Sequence, residues 1–146
     1  MHEKDQDYNT PLHLATQHKQ TDTIKVILDH LGTYHNYSIQ YIVEKNNFGW
    51  SPFSGAVAKG NYETVREMLK GLSIANKRSL MEEKDNNNSY AIHLAAKYGH
   101  VEVFTLLLDN NANIMKQGPD QKTALDIAIE KEQRTVMRPC KHPHRP

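Results

Sequence analysis

The chain has 146 residues, of which 38% are hydrophobic and 24% charged, and its formal net charge is +1. This length supports one core of modest size, and the near-neutral charge gives no electrostatic reason to expect nucleic acid or an anionic membrane as a partner. The single cysteine excludes an intramolecular disulfide and favours a reducing compartment. No apolar run approaches the roughly 18 residues of a membrane helix, and nothing near Met1 resembles a signal peptide. We therefore expect a cytoplasmic protein.

A six-residue segment recurs four times along the chain. The copies begin at Thr10, Ser51, Tyr90 and Thr123 and read TPLHLA, SPFSGA, YAIHLA and TALDIA. These segments resemble the ankyrin signature T-P-L-H-x-A, and the third copy continues to resemble the family's repeat as far as Ile114. The resemblance implies an all-α ankyrin-repeat solenoid, in which helix–turn–helix units stack and are joined by short β-hairpin-like turns. It also implies a non-catalytic module that binds another protein.

Local chemistry favours the same elements. Thr10 and Ser51 stand where a side-chain oxygen can cap the first helix of a repeat, and Pro11 follows at a position where a missing N–H costs nothing. Gly60 and Gly99 stand where the chain must turn sharply between two antiparallel helices. Neither helix of a repeat buries its apolar face alone, so stacked neighbours must supply the rest of the core.

The first two repeats are longer than the third. Their signatures are 41 and 39 residues apart (10 to 51, 51 to 90), whereas the last interval is 33 (90 to 123), the standard ankyrin period. The extra residues fall within 29–45 and 70–84 and include apolar side chains. We expect a lengthened second helix or an extra helical turn in each, the alternative being a flexible loop.

These spacings divide the chain into repeats and a tail. The repeats occupy residues 1–137, as the units 5–45, 46–84, 85–117 and an incomplete 118–137, and a disordered basic tail is expected over 138–146. We expect the fourth repeat to have a first helix at 124–129 and only the start of a second at 134–137. Part of the apolar stripe around Leu107 would then be uncovered, which predicts self-association through the C-terminal repeat.

Nine histidines invite a search for a metal or catalytic site. His13 and His93 occupy the signature position, where the resemblance implies a hydrogen bond within the turn framework. Cys140, His142 and His144 suit zinc, but a structural zinc site needs four ligands, and no further pair completes the set. We expect no metal, no cofactor and no enzymatic activity.

The resemblance also implies where a partner binds. In ankyrin proteins the tips of the hairpin turns and the exposed ends of the first helices form a concave surface. The residues expected on it here are Phe48, Trp50, Asn87, Ser89 and Lys122 at the tips, and Gln17, His18, Lys59, Lys97 and Tyr98 on the helices. Trp50 has two interpretations: an exposed aromatic anchor for the partner, or a stabiliser that packs on the neighbouring tip.

A second resemblance concerns the lengthened repeats. The pattern Asn-x-x-x-Leu-Met-Glu-Glu-x-Asp from Asn76 to Asp85, and the sequence LDIAI at 125–129, look like the cytoplasmic ankyrin array of TRPA-type cation channels. This likeness covers about residues 46 to 137. It implies the alternative that the chain is a fragment of a channel's sensing or assembly domain, tethered to a membrane through the rest of that protein.

Overall fold

The computed structural model describes residues 4–33 and 39–137, and the regular structure in these ranges is helical. The elements are α1 (Pro11–Gln17), α2 (Thr21–Thr33), α3 (Gln40–Val43), α4 (Pro52–Lys59), α5 (Tyr62–Lys70), α6 (Ile74–Met81), α7 (Ala91–Lys97), α8 (Val101–Asp109), a 3₁₀ turn (Pro119–Gln121) and α9 (Ala124–Met137). None of the helices in these ranges has the length and hydropathy that crossing a bilayer requires. The predicted all-α fold is confirmed.

Each signature is preceded by a five-residue turn, which we call a tip. The four tips are residues 5–9, 46–50, 85–89 and 118–122, and each is closed by a backbone hydrogen bond from its first N–H to its fifth carbonyl, 2.8 to 3.1 Å long. In the first three, the side-chain oxygen of Asp5, Asn46 or Asp85 accepts two further backbone N–H groups at 2.8 to 3.0 Å. The tips are therefore built by short side chains bonding their own backbone.

The helix that follows each tip begins at a capped residue. The hydroxyl oxygens of Thr10, Ser51 and Thr123 accept backbone N–H groups three residues later, at 3.3, 3.0 and 3.1 Å. These bonds satisfy donors that a helix cannot satisfy internally. The predicted caps are confirmed.

The helices form two stacked rows. The inner helices α1, α4, α7 and α9 pack on one another in sequence, and the outer helices α2, α5 and α8 pack behind them. Between the rows lie fully buried side chains, among them Ile24, Val57, Met68 and Leu107. The core is thus continuous from one repeat to the next, as stacking of incomplete units requires.

The extra residues of the first two repeats are helical where the structure describes them. The first insert contains the end of α2, which is 13 residues long against nine in α5 and α8, followed by α3. The second insert forms α6. Ile42 of α3 and Leu80 of α6 are at most 1% exposed, so the described residues of both inserts contribute to the core, and there they support the helical expectation over a flexible loop.

The fourth repeat differs from the expectation. Residues 124–137 form one continuous helix, α9, with no turn before 134. In the first three repeats the inner helix ends in a residue of positive φ, at Lys19, Gly60 and Gly99. Glu132 occupies the corresponding place without a positive φ, and the helix continues through it. The prediction of a separate second helix was wrong.

Leu107 itself is covered, so the gap expected in the cover of the stripe around it does not include this residue. This side chain is fully buried, because α8 packs against both α5 and α7. Val101 is 74% exposed on the same helix, and Phe104 is half-buried. Self-association through this end stays a prediction. The tail that the sequence predicts to be disordered, 138–146 with Cys140, His142 and His144, lies outside the described residues.

Replacing either of two glycines of the second repeat by alanine should change the free energy of unfolding, in opposite directions. Gly60 has φ +68°, and a Cβ there would lie 2.4 Å from the Nδ1 atom of His100. Gly55 lies inside α4, where a Cβ would meet only Thr16 Cγ2, at 4.0 Å. We expect Gly60→Ala to lower the free energy of unfolding by about 1–3 kcal/mol and Gly55→Ala to raise it by about 0.5–1 kcal/mol. Urea titrations measure both, and equal effects of the two changes would contradict this register.

Candidate protein-binding surface

Histidine rings connect neighbouring segments of the stack. The Nδ1 atom of His13 accepts the backbone N–H of Thr10 at 3.0 Å, and its Nε2 atom donates to the carbonyl of Trp50 at 2.9 Å. His93 repeats the arrangement, accepting from Tyr90 N at 3.1 Å and donating to the Lys116 carbonyl at 2.8 Å. One nitrogen accepts and the other donates, so both rings are neutral. The structural role inferred for the two histidines is confirmed.

The second repeat has no histidine at the signature position. Ser54 stands there, and its hydroxyl oxygen accepts the Ser51 N–H at 2.9 Å without reaching the third tip. His100 supplies a bond between these repeats instead, since its Nε2 atom donates to the Ala58 carbonyl at 2.8 Å. That bond fixes the last turn of α4.

The two signature histidines should make stability depend on pH. Burial lowers the pKa of both His13 and His93 below the ordinary value of 6.5, although the bonds from Nε2 to the carbonyls oppose this. Since the unfolded chain binds protons first as the pH falls, stability is fully present above about pH 6.5 and declines below it. The decline is caused by protonation of these two histidines in the unfolded chain, where burial no longer lowers their pKa, and not by protonation of a carboxylate.

We therefore expect the melting temperature to be constant between about pH 7 and 8 and to fall between about pH 6.5 and 5. His93→Gln should be less stable than the parent at pH 7.5, because it loses the paired hydrogen bonds, and its melting temperature should fall less on acidification. Thermal denaturation followed by circular dichroism measures both. Parallel pH curves for the parent and the variant would refute this explanation.

The ends of the inner helices carry most of the predicted helix positions. Gln17, His18, Lys59, Lys97 and Tyr98 are all exposed, as the sequence predicts. They occupy the last two positions before each turn, so they recur on one side of the stack. This side, together with the tips, corresponds to the surface that is concave in ankyrin proteins, and we call it the concave surface.

The predicted tip residues divide into exposed and buried ones. Phe48 is 64% exposed and Asn87 is also exposed. Ser89, however, is only 6% exposed, and its N–H donates to Asp85 at 2.9 Å. Lys122 is half-buried and forms an ion pair with Glu130 at 2.7 Å. Ser89 is therefore less exposed than its tip position predicts, because the last residue of a tip folds back towards the helix it precedes.

Trp50 also differs from its predicted exposure. It is half-buried, packs against the core and offers its carbonyl to His13. These contacts support the interpretation of Trp50 as a stabiliser, and its side chain is less exposed than its tip position predicts. Trp50 still borders both of the clefts described next.

Two clefts open on the concave surface. The first, of about 340 Å³, lies between repeats 1 and 2 and brings together Gln17, Phe48, Trp50 and Lys59. The second, of about 250 Å³, lies between repeats 3 and 4 and brings together Trp50, Asn87, Ser89, Lys97, Tyr98 and Lys122. His18 lines neither cleft. The first volume is at the lower end of the range found for binding pockets, about 300–1,000 Å³, and the second is slightly below that range.

The first cleft is also lined by residues that are not among the binding residues expected from the sequence. Thr16, Gly55 and Ala58 line it. A signal for them was present in the aligned repeats: the fifth position of the signature holds Leu14, Leu94 and Ile127 in the other copies, but glycine in the second. The glycine marks the cleft by the side chain that it lacks.

Comparison with protein families agrees with this architecture. A family model for ankyrin repeats, in three copies, matches residues 1–79 and 72–138. The chain belongs to the ankyrin-repeat family, whose members are interaction modules.

Among known proteins, the chain is similar to a transient receptor potential cation channel subfamily A member 1 homolog from Caenorhabditis elegans. The two are 29% identical over 136 residues, which is 92% of this chain and 10% of the channel homolog. The chain thus spans about a tenth of the length of that relative. The resemblance to TRPA-type proteins seen in the sequence is confirmed.

Proposed function

We propose that the chain is a non-catalytic module that binds another protein through its concave surface. The exposed Phe48 and Tyr98 carry this proposal, because each borders a cleft on that surface. Aromatic side chains held on a rigid support bind at little entropic cost, and they are enriched among the residues that dominate binding energies. The helices and tips that carry them are fixed by the caps and histidine bonds described above.

Two of the other exposed positions on this surface are lysines. Lys59 and Lys97 are exposed at the ends of α4 and α7, and the Lys97 ammonium lies 5.4 Å from the centre of the Tyr98 ring. Exposed lysines contribute to the rate and selectivity of association more than to final affinity. Neither nucleic acid nor a membrane is the partner we propose, since the net charge of the chain is only +1.

The channel homolog supports a second proposal. We infer that the chain is part of the cytoplasmic ankyrin array of a TRPA-type channel, where its partner would be another segment of the assembly. The similarity over 92% of the chain favours this. The transcript tests it: further repeats and membrane-spanning helices in the same reading frame support the proposal, and a stop codon directly after Pro146 contradicts it.

The binding proposal is tested by selecting peptides from a random library displayed on phage against the folded chain. We expect Tyr98→Ala to weaken the selected peptides by about tenfold without changing the melting temperature. Lys70→Ala, which alters an exposed residue at the end of the outer helix α5, is the control and should change affinity less than twofold, about the scale of neutral surface contacts.

Isotope-labelled chain then locates the bound peptides. Chemical-shift changes confined to the tips and to the ends of the inner helices are expected. Shifts confined to the outer helices α5 and α8, or a library that yields no specific peptide, would contradict binding through the concave surface.

A further inference from the structure

The first cleft exists because the second repeat lacks two side chains. Where the other repeats have leucine or isoleucine at the fifth signature position, α4 has Gly55, and where they have Gln17, Lys97 and Glu130, it has Ala58. The cleft of about 340 Å³ occupies the space beside these two residues. A leucine at 55, as in repeats 1 and 3, would extend into it.

Packing does not require Gly55. Its φ is not in the left-handed region, and a Cβ built there would make only an ordinary contact with Thr16 Cγ2 at 4.0 Å. Glycine within a helix costs roughly 0.5–1 kcal/mol relative to alanine. Gly55 therefore lowers the stability of the second repeat, and no described contact compensates for this. Its effect on the surface is an open space beside Phe48.

The walls of the cleft are mostly apolar in surface, with an exposed aromatic at the rim. Phe48 is 64% exposed, and Trp50, Pro52 and the methyl-bearing Thr16 also line the space. An apolar space open on one side and rimmed by an aromatic ring suits a large aliphatic or aromatic side chain.

The polar groups of the cleft specify the rest of the ligand. His13 is occupied by its bonds to Thr10 and Trp50, and the Asn46 side chain by bonds to Asn9, Phe48 and Trp50. Gln17 and Lys59 remain: both are exposed, and within the described ranges neither side chain has a hydrogen bond or ion pair to another residue. Among the residues that the structure describes, the lining includes no acidic one and a single fixed charge, the Lys59 ammonium.

From this geometry, and resting on the proposed function, we infer that the first cleft recognises an extended peptide segment of a partner protein. The segment carries a large apolar side chain, which fills the space beside Gly55, and a neighbouring carboxylate, which pairs with Lys59. Charge complementarity selects this occupant over the chain's own last residues, 138–146, which contain Arg138, Lys141 and Arg145 and no acid.

The test uses fluorescein-labelled synthetic peptides in a glycine–serine frame, with a central phenylalanine flanked by aspartates, by lysines or by serines. A fourth peptide has alanine flanked by aspartates. Fluorescence anisotropy should give the tightest binding for the phenylalanine–aspartate peptide. Replacing its phenylalanine by alanine, or its aspartates by lysines, should weaken binding at least about tenfold.

Three variants locate the site. Gly55→Leu fills the cleft and Phe48→Ala removes its rim, and each should weaken the phenylalanine–aspartate peptide at least about tenfold. Lys59→Glu should weaken it similarly and should now favour the lysine-flanked peptide. Lys70→Glu is the matched control, because Lys59 and Lys70 are both the last residue of their helices; it should leave the order of peptides unchanged.

The outcomes separate this inference from the proposed function. Gly55→Leu should melt no lower than the parent, and if it fails to fold, Lys59→Glu and Phe48→Ala still decide. Peptides that are insensitive to all three variants but lose affinity in Tyr98→Ala would overturn the cleft while leaving binding through the concave surface intact. Peptides insensitive to every variant would overturn both. A dimer in sedimentation that Gly55→Leu dissociates would show that the occupant is a second copy, which also overturns the inference.

Discussion

Each repeat of this chain depends on its neighbour, because one helical pair cannot bury its own apolar face. The hydrophobic core supplies most of that attachment, but it is not directional. The histidines supply directional bonds between adjacent segments. His13 and His93 each bond the start of their own helix through Nδ1 and a carbonyl of the following segment through Nε2. A neutral ring with one donor and one acceptor can do both at once, and a charged ring cannot.

In the second repeat, the bond to the neighbouring repeat is made at the opposite end of the inner helix. His100 reaches back to the Ala58 carbonyl, and the left-handed Gly60 leaves room for its ring. This arrangement holds the last turn of α4 and with it Lys59, the charged residue of the first cleft. The attachment of repeats 2 and 3 and the placement of the lysine are therefore coupled, although the two features face different neighbours.

The fold could be predicted from the sequence because its determinants are local. Thr10 and Ser51 cap helices within four residues of themselves, and the signature recurs at recognisable intervals. Where the prediction failed, the deciding feature was a missing one: without a turn residue at Glu132, α9 continues to Met137.

The candidate site was harder to predict, because exposure depends on how each tip closes. Phe48 and Trp50 are two residues apart in the same tip, yet the first is exposed and the second packs inward. Burial of Ser89 has the same origin. The cleft beside Gly55 is a property of two stacked helices, so a pattern read along one helix reveals the small residue without showing the space around it.

Trp50 makes the junction between the first two repeats accessible to fluorescence spectroscopy. It is the chain's single tryptophan, and its carbonyl and half-buried side chain lie where the first repeat meets the second. Its intrinsic fluorescence is therefore a spectroscopic report on one junction, whereas far-ultraviolet dichroism averages over every helix. If the repeats unfold separately, the fluorescence and the dichroism would change at different denaturant concentrations. The difference between the two midpoints would then measure how cooperatively the first junction unfolds with the rest of the array.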